Sequence, residues 1–437
     1  MRDTHGLPPV ALAAALLLSF TLLADLPGAA ADTRKQHLPN GLRVVVQDNT
    51  HTGTVVVSAL VRVTALHEPR GTAGIRQLTH LLVSRGEGYD ERLRAAAARI
   101  GGSMAPDYVE LTVSAPAEAL EECVWLTREI LFRPQMAGEA LETVRADLIR
   151  RLAARDATPA ALTIERLYQA LYPGLGTGDV NAGDATCVAA LTIDDVDRFH
   201  ARHYLPNVTT IGVSGGVEGR EALEIVVRVM GGLLPGSMPP EAPLQPPEYP
   251  DGTVELDGGG RTAVVAVGGR AVALGATQYP AMAVGMTLLG SGMDSRLYRA
   301  LRVERALAYT IAAELTPSGT APSGLVLVTC APERLQEVAE VTSDEIARVT
   351  EERAGAEELQ RARRYLVGRY ALRRQRNEDV AHYLAVFEML GGPQGYRRDA
   401  QLAGEIAAVD AEAVMQAMRA LFRPAVAVNL RGCVEAG

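Results

Sequence analysis

The chain repeats one order of elements on either side of a proline-rich divider, and this duplication limits the fold more than any other feature. Two β-branched runs, 41–46 and 54–61, open the first half, and 253–256 and 263–267 open the second. Helical patterns follow at 74–84 and 281–289, each with a second helix behind it, 91–100 and 295–305. Next come two strands that both end in Ala-Pro, 109–116 and 325–332, and an amphipathic helix after each, 120–131 and 335–349. An Arg-rich helical stretch is then repeated at 140–154 and 356–374. Each half closes on a short helix and a strand: 193–200 and 209–213, then 409–414 and 425–430. Thr192 and Asp410 stand where N-caps belong. Paired strands separated by paired helices predict an α+β fold of two homologous domains, each a mostly antiparallel sheet with helices packed on one face. Short strands beside long helices argue against a TIM barrel or a Rossmann fold.

The divider spans 234–251 and contains Pro235, Pro239, Pro240, Pro246, Pro247 and Pro250. Such a composition suits an extended linker, which places the domains at 32–233 and 252–437. With 437 residues, 48% hydrophobic and 22% charged, there is ample material for two cores. A net charge of −9 excludes polyanion binding by bulk charge. The first residues combine a basic start at Arg2, an apolar run from Val10 to Leu23, and Ala29-Ala30-Ala31. These are the parts of a secretory signal over 1–31, and they predict an exported protein, periplasmic or extracellular. The apolar run is shorter than the ~20 residues of a comfortable membrane span, and no Cys follows it to carry a lipid. An uncleaved N-terminal anchor is the alternative. Cys123 and Cys187 fall in the first half, Cys330 and Cys433 in the second. One disulfide per half and buried free thiols both satisfy that pattern.

Six local phrases occur in one order. They are Leu38-Pro39-Asn40-Gly41-Leu42-Arg43-Val44, Gly71-Thr72-Ala73-Gly74-Ile75, Leu171-Tyr172-Pro173-Gly174, and Phe199-His200-x-x-His203-Tyr204-x-Pro206-Asn207. The second half adds Gly290-Ser291-Gly292-Met293-Asp294-Ser295-Arg296-Leu297 and the phrase from Leu301-Arg302 to Ala308-Tyr309. Together with the duplication, they resemble the insulinase/pitrilysin family of inverted zinc metallopeptidases, which includes the mitochondrial processing peptidase. The resemblance covers about 35–433 and implies that the two domains form a clamshell.

Active members of that family carry H-x-x-E-H on the first helix. Two His four apart bind zinc, and the Glu activates a metal-bound water. A Glu from the later long helix is the third ligand. Aligned on Gly74, this chain has Gln77 at the first His position, His80 at the Glu position and Leu81 at the second His position. Aligned on Ile149-Arg150-Arg151, the third ligand falls on Leu148, or on Asp147 if the helix slips by one residue. The resemblance thus implies no intact catalytic residue and no zinc held by this chain, with zinc expected in a partner subunit. His200 and His203 have i, i+3 spacing near Asp195 and Asp197, but no third ligand accompanies them, and they read as capping or stacking residues at a helix exit. His37, His51, His67 and His382 show no spacing to one another.

In paired members, an Arg and a Tyr after the Gly-rich loop bind the substrate backbone and help to stabilise the developing oxyanion. Arg302 and Tyr309 match them, and both side chains donate hydrogen bonds to carbonyl oxygen. The plainer reading makes Arg302 a surface charge and Tyr309 a core residue at a strand start. Gly290-Ser291-Gly292 lacks the Lys and the spacing of a phosphate loop. The Arg-rich segment 361–376 is flanked by Glu357, Glu358 and Glu378, which suits a solvated face or a subunit contact. The expected function is that of a substrate-binding subunit without zinc, in a heterodimer with a zinc-bearing sister chain that cleaves peptides. The alternative is a catalytically inactive peptide-binding or scaffold protein of the same fold. Neither reading involves nucleic acid or stable membrane insertion after signal cleavage.

Overall fold

A computed structural model describes residues 33–49, 51–136, 138–173, 183–237, 251–258 and 261–433. The signal expected at 1–31 and most of the divider lie outside these residues. In the first half, β1 (Thr33–His37), β2 (Arg43–Asp48) and β3 (Thr54–Arg62) precede α1 (Ile75–Val83) and the short α2 (Asp90–Ala95). Then come β4 (Arg99–Met104), β5 (Tyr108–Pro116), α3 (Leu120–Phe132), α4 (Gly138–Asp156), α5 (Pro159–Leu171), α6 (Ala185–Ala190), α7 (Ile193–His203), β6 (Thr209–Gly215) and α8 (Gly219–Met230). The second half starts with β7 (Gly252–Gly258), β8 (Ala263–Arg270), α9 (Tyr279–Gly290), a π-helical turn (Tyr298–Val303), β9 (Ala308–Thr316) and β10 (Ser323–Cys330). It continues with α10 (Leu335–Glu351), α11 (Ala356–Arg373), α12 (Asn377–Leu390), α13 (Gly395–Ala408), α14 (Ala411–Phe422) and β11 (Val426–Cys433).

Each half builds one sheet, in the orders β1-β2-β6-β3-β5-β4 and β7-β11-β8-β10-β9. All pairings are antiparallel except β2 with β6 and β7 with β11. The α+β plan of two similar layers is therefore the observed fold. Thr192 caps α7 in a reciprocal box: its Oγ accepts from Asp195 N–H, and Asp195 accepts from Thr192 N–H. Asp410 caps α14 by accepting from Ala413 N–H at 2.7 Å.

Two expected helices are shorter than their patterns. The one expected at 91–100 stops at Ala95, Ala97 turns at φ 48°, and Arg99–Met104 becomes β4. Gly101 and Gly102 weaken a helix there, while pairing with β5 rewards an extended backbone. The one expected at 295–305 narrows to the π-helical turn, and Ala306 at φ 52° redirects the chain into β9. β1, α5, α6, α8, α12 and α13 were not anticipated from periodicity.

The helices of each half pack on one face of its own sheet, and the opposite face is covered by a helix from the other half. On β3, Val55, Val57, Ala59 and Val61 join the first core, while Leu60, between them, joins the second. α12 lies over β2, β3 and β6, where Val45 meets Val380 and Leu384. α5 reciprocates on β8 and β11: Leu167, Tyr168 and Leu171 pack with Ala266, Val426 and Val428. Sheets covered on both faces need near-continuous apolar runs, which explains the Val-rich strands. Polar contacts fix the exchange. Tyr168 Oη is 2.7 Å from Ser323 Oγ, and Tyr172 Oη donates to the Pro322 carbonyl at 2.6 Å. Asn377 Nδ2 donates to Thr52 Oγ1 at 2.9 Å, and Lys35 pairs with the buried Glu388 at 2.6 Å.

Candidate functional site

Helix α1 carries the three positions that were aligned with H-x-x-E-H. Gly74 begins it at φ 100°, a left-handed turn, and a Cβ there would lie 2.6 Å from Val188 Cγ2, so only glycine fits. The orphan N–H groups of Gly74 and Arg76 donate to the Glu68 carboxylate, each at 3.1 Å. Arg76 is fully buried and donates through Nη1 to the carbonyls of Val63, Ala105 and Pro106, which ties α1 to β3 and to the β4–β5 turn. Ile75, Leu78, Leu82 and Val83 face the core, which leaves Gln77, His80 and Leu81 on the side toward β4 and α4.

There the three degenerate positions line one cleft of about 380 Å³, with Gly102, Ser103 and Met104 of β4 and Arg151, Leu152 and Arg155 of α4. His80 is buried, and its Nε2 lies 3.2 Å from Ser84 Oγ. Burial, and then the nearby charge of Arg76, pulls the imidazole down to about 4, so it is neutral at pH 7. Gln77 Oε1 is buried and finds no donor among the described residues. Arg151 Nη2 pairs with Asp147 at 2.6 Å. Arg155 pairs with Asp156 at 2.6 Å and reaches the Gly183 carbonyl at 3.4 Å.

Leu148, the aligned third-ligand position, is fully buried in the core, and Asp147 is held by Arg150 and Arg151. The residues of α4 that face α1 are instead Arg151 and Arg155. A carboxamide, one neutral imidazole, a hydrocarbon and two guanidiniums do not fit zinc, which takes three or four N, O or S donors free of competing cations. Among the described residues no group of three His, Cys, Asp or Glu could hold a metal ion.

Sequence reasoning missed the two arginines, although the duplication contained the signal. The matching cleft of the second half, about 190 Å³, is lined by Ala283, Met286 and Thr287 of α9 and by Arg369 and Arg373 of α11. These positions repeat Gln77, His80 and Leu81 on the first helix and Arg151 and Arg155 on the long one. Glu314 of β9 stands in the second cleft where Ser103 stands in the first.

Beside the first cleft, Glu110 accepts from Ser58 Oγ and Ser103 Oγ, both at 2.6 Å, and from His382 Nδ1 at 2.9 Å across the two halves. Burial favours the protonated acid, but the His382 bond and charge outweigh it, with the two serines, and hold Glu110 at about 2.

Arg302 and Tyr309 sit together at the π-helical turn and the start of β9, and neither lines the cleft beside α1. Tyr309 is 62% exposed, so it is not a core residue. Arg302 is exposed too, and its Nη1 donates to the Ala308 carbonyl at 2.5 Å. His200 and His203 serve separate ends. His200 Nε2 donates to the Leu131 carbonyl at 2.9 Å and its ring stacks on Tyr204, while His203 lies against His67 and Phe199. Cys123, Cys187 and Cys330 are free thiols. No described helix is long and apolar enough to cross a membrane.

Residues 190–366 match the family described as the peptidase M16 inactive domain, a span that contains the Gly-rich phrase, Arg302 and Tyr309. The likeness to M16 peptidases covers that span, less than half of the chain. It is 26% identical over 327 residues to an uncharacterized zinc protease of Mycobacterium bovis, covering 73% of this chain and 75% of that one. It is 23% identical over 209 residues to the mitochondrial cytochrome b-c1 complex subunit 1 of Caenorhabditis elegans, covering 46% and 43%. The crystal structure of a peptidase M16 inactive domain from Pseudomonas fluorescens shares the fold, with a TM-score of 0.84 at 17% identity over 92% of this chain and 99% of that one. In both sheets the last strand is an edge: β4 carries Gly102 and Ser103, and β9 carries Tyr309.

Proposed function

We propose that this chain is the peptide-holding, non-catalytic partner of a zinc-bearing sister chain, in an exported two-chain endopeptidase of the periplasm or the extracellular space. The observation that carries the reading is an intact α1 that presents Gln77, His80 and Leu81 to a cleft walled by Arg151 and Arg155. Among the described residues no metal-ligand set stands there to activate a water for hydrolysis. The outer edge of β4 is unpaired within its sheet, so its N–H and C=O groups are available to an extended peptide. Arg302 and Tyr309, exposed at the start of the second edge strand, donate to a substrate carbonyl in the assembled pair.

The test is co-purification with a zinc-bearing sister chain, followed by a peptide cleavage assay on the pair. Arg302→Ala or Tyr309→Phe should lower kcat by ~10²–10³ without dissociating the chains, the usual cost of one positioned oxyanion donor. One observation favours the scaffold reading: Arg302 already holds the Ala308 carbonyl, a purely structural task. Wild-type rates for both variants would leave the scaffold and remove the catalytic contribution.

A further inference from the structure

We infer that the cleft beside α1 binds the free C-terminal carboxylate of a peptide. The inference rests on the peptide-holding reading and adds which part of the peptide the chain selects.

Two guanidiniums, Arg151 and Arg155, line the cleft, and no Asp or Glu lines it among the described residues. Their partners Asp147 and Asp156 lie outside the lining. The other nearby acid, Glu110, is saturated by Ser58, Ser103 and His382. Each guanidinium has five N–H donors in a planar fork. Among the described residues Arg151 meets Asp147 through Nη2. Arg155 uses Nε and Nη2. A second carboxylate can therefore be taken without breaking the first. Arg151 is 63% exposed and Arg155 27%, so the fork lies where the cleft opens to solvent.

The buried end of the cleft has the opposite need. Gln77 Oε1 is an acceptor with no donor among the described residues, and leaving such a buried atom unpaired is unfavourable. A peptide terminus answers both demands. Its carboxylate takes the arginines, and the N–H of its last residue donates to Gln77. An internal peptide segment brings the N–H but no charge. An isolated small acid brings the charge but no chain to lie along β4.

The matching cleft of the second half supplies the contrast. It has the same arginine spacing in Arg369 and Arg373, but Glu314 enters it and about half the volume remains. Its own carboxylate offsets the cationic wall, so it does not select an anion.

The full chain is immobilised and offered a degenerate N-acetylated decapeptide library, once as free acids and once as C-terminal amides, with bound peptides quantified by mass spectrometry. Free acids should bind at least about tenfold tighter. Arg151→Gln, at an exposed position that the fold does not need, should reduce the acids to the level of the amides. Gln77→Glu should do the same by placing a like charge in the cleft, and Arg369→Gln should change nothing. Equal binding of acids and amides overturns the inference and leaves peptide holding intact. A preference that survives both cleft variants, or that is lost in Arg369→Gln, also overturns it. Competition by N-acetylglycine at the same affinity as the peptide acids would make this a small-carboxylate site and overturn the commitment to a peptide end. Binding of neither library would overturn the inference and the peptide-holding reading together.

Discussion

Gln77, His80 and Leu81 offer no set of metal ligands, and Arg151 and Arg155 bring positive charge to the same cleft. The purified chain should therefore contain far less than one Zn²⁺ per molecule after dialysis, and metal analysis that finds about one tightly held ion would refute the assignment. Restoring the helix alone should also fail. Gln77→His, His80→Glu and Leu81→His supply two imidazoles and a base, but a cation still faces them across the cleft. Adding Arg151→Glu should create a site that holds about one zinc, because position 151 faces α1. Adding Leu148→Glu should not, because that side chain points into the core and would bury an unpaired charge. Equal zinc uptake in the two quadruple variants would mean that position 151 does not face α1.

Strand β6 shows how one glycine decides which helix can dock. A Cβ at Gly212 would lie 1.9 Å from the Ala381 carbonyl oxygen of α12, so the helix backbone rests directly on the sheet. Gly212→Val should force α12 outward and cost at least ~1–3 kcal/mol by chemical denaturation, the usual range for overpacking. Gly232→Ala is the control: nothing lies within 4 Å of its Cβ, and the change should stay within about 0.5 kcal/mol. A stability change at Gly212 no larger than the control's would show that α12 is not seated where the contacts place it.

Because α5 and α12 each cover the sheet of the opposite half, the connection between the halves is not what joins them. Cleavage anywhere in 234–250 should leave the two fragments in one peak on size exclusion under native conditions, separating only in denaturant. Fragments that part on their own would contradict the exchange. Acid should loosen the whole in two stages. Burial holds His80 and His203 near 4 against the ordinary 6.5, so between these values the unfolded chain binds more protons and stability falls as pH drops. Glu110 is held near 2 against 4.5, so its contribution is present above pH 4.5 and is lost as pH falls toward 2. His382→Ala should flatten the second stage, and should cost ~1.5–3 kcal/mol at neutral pH by removing a hydrogen bond to a charged group. Denaturation midpoints across pH 2–7 that match in wild type and His382→Ala would rule out this joint.

The duplication, the paired strands and the caps at Thr192 and Asp410 were all legible along the chain. Each depends on local spacing or on one side chain reaching its own helix end. The runs Val44-Val45-Val46 and Val55-Val56-Val57 were legible as strands, but not that a helix of the other half would cover the second face of their sheet. Which helix covers them was not legible. An amphipathic helix such as α5 or α12 fits any apolar sheet face, and the choice is made by long-range partners: Gly212 under Ala381, Ser323 beside Tyr168, Thr52 beside Asn377. The same holds for the cleft. Alignment put the third-ligand position at Leu148, but the rotation of α4 about its axis is set by where Leu148 and Leu152 find the core, and that rotation turns Arg151 and Arg155 toward α1. Residue type is a local property, whereas the direction a residue faces is fixed by the packing of segments far apart in the chain.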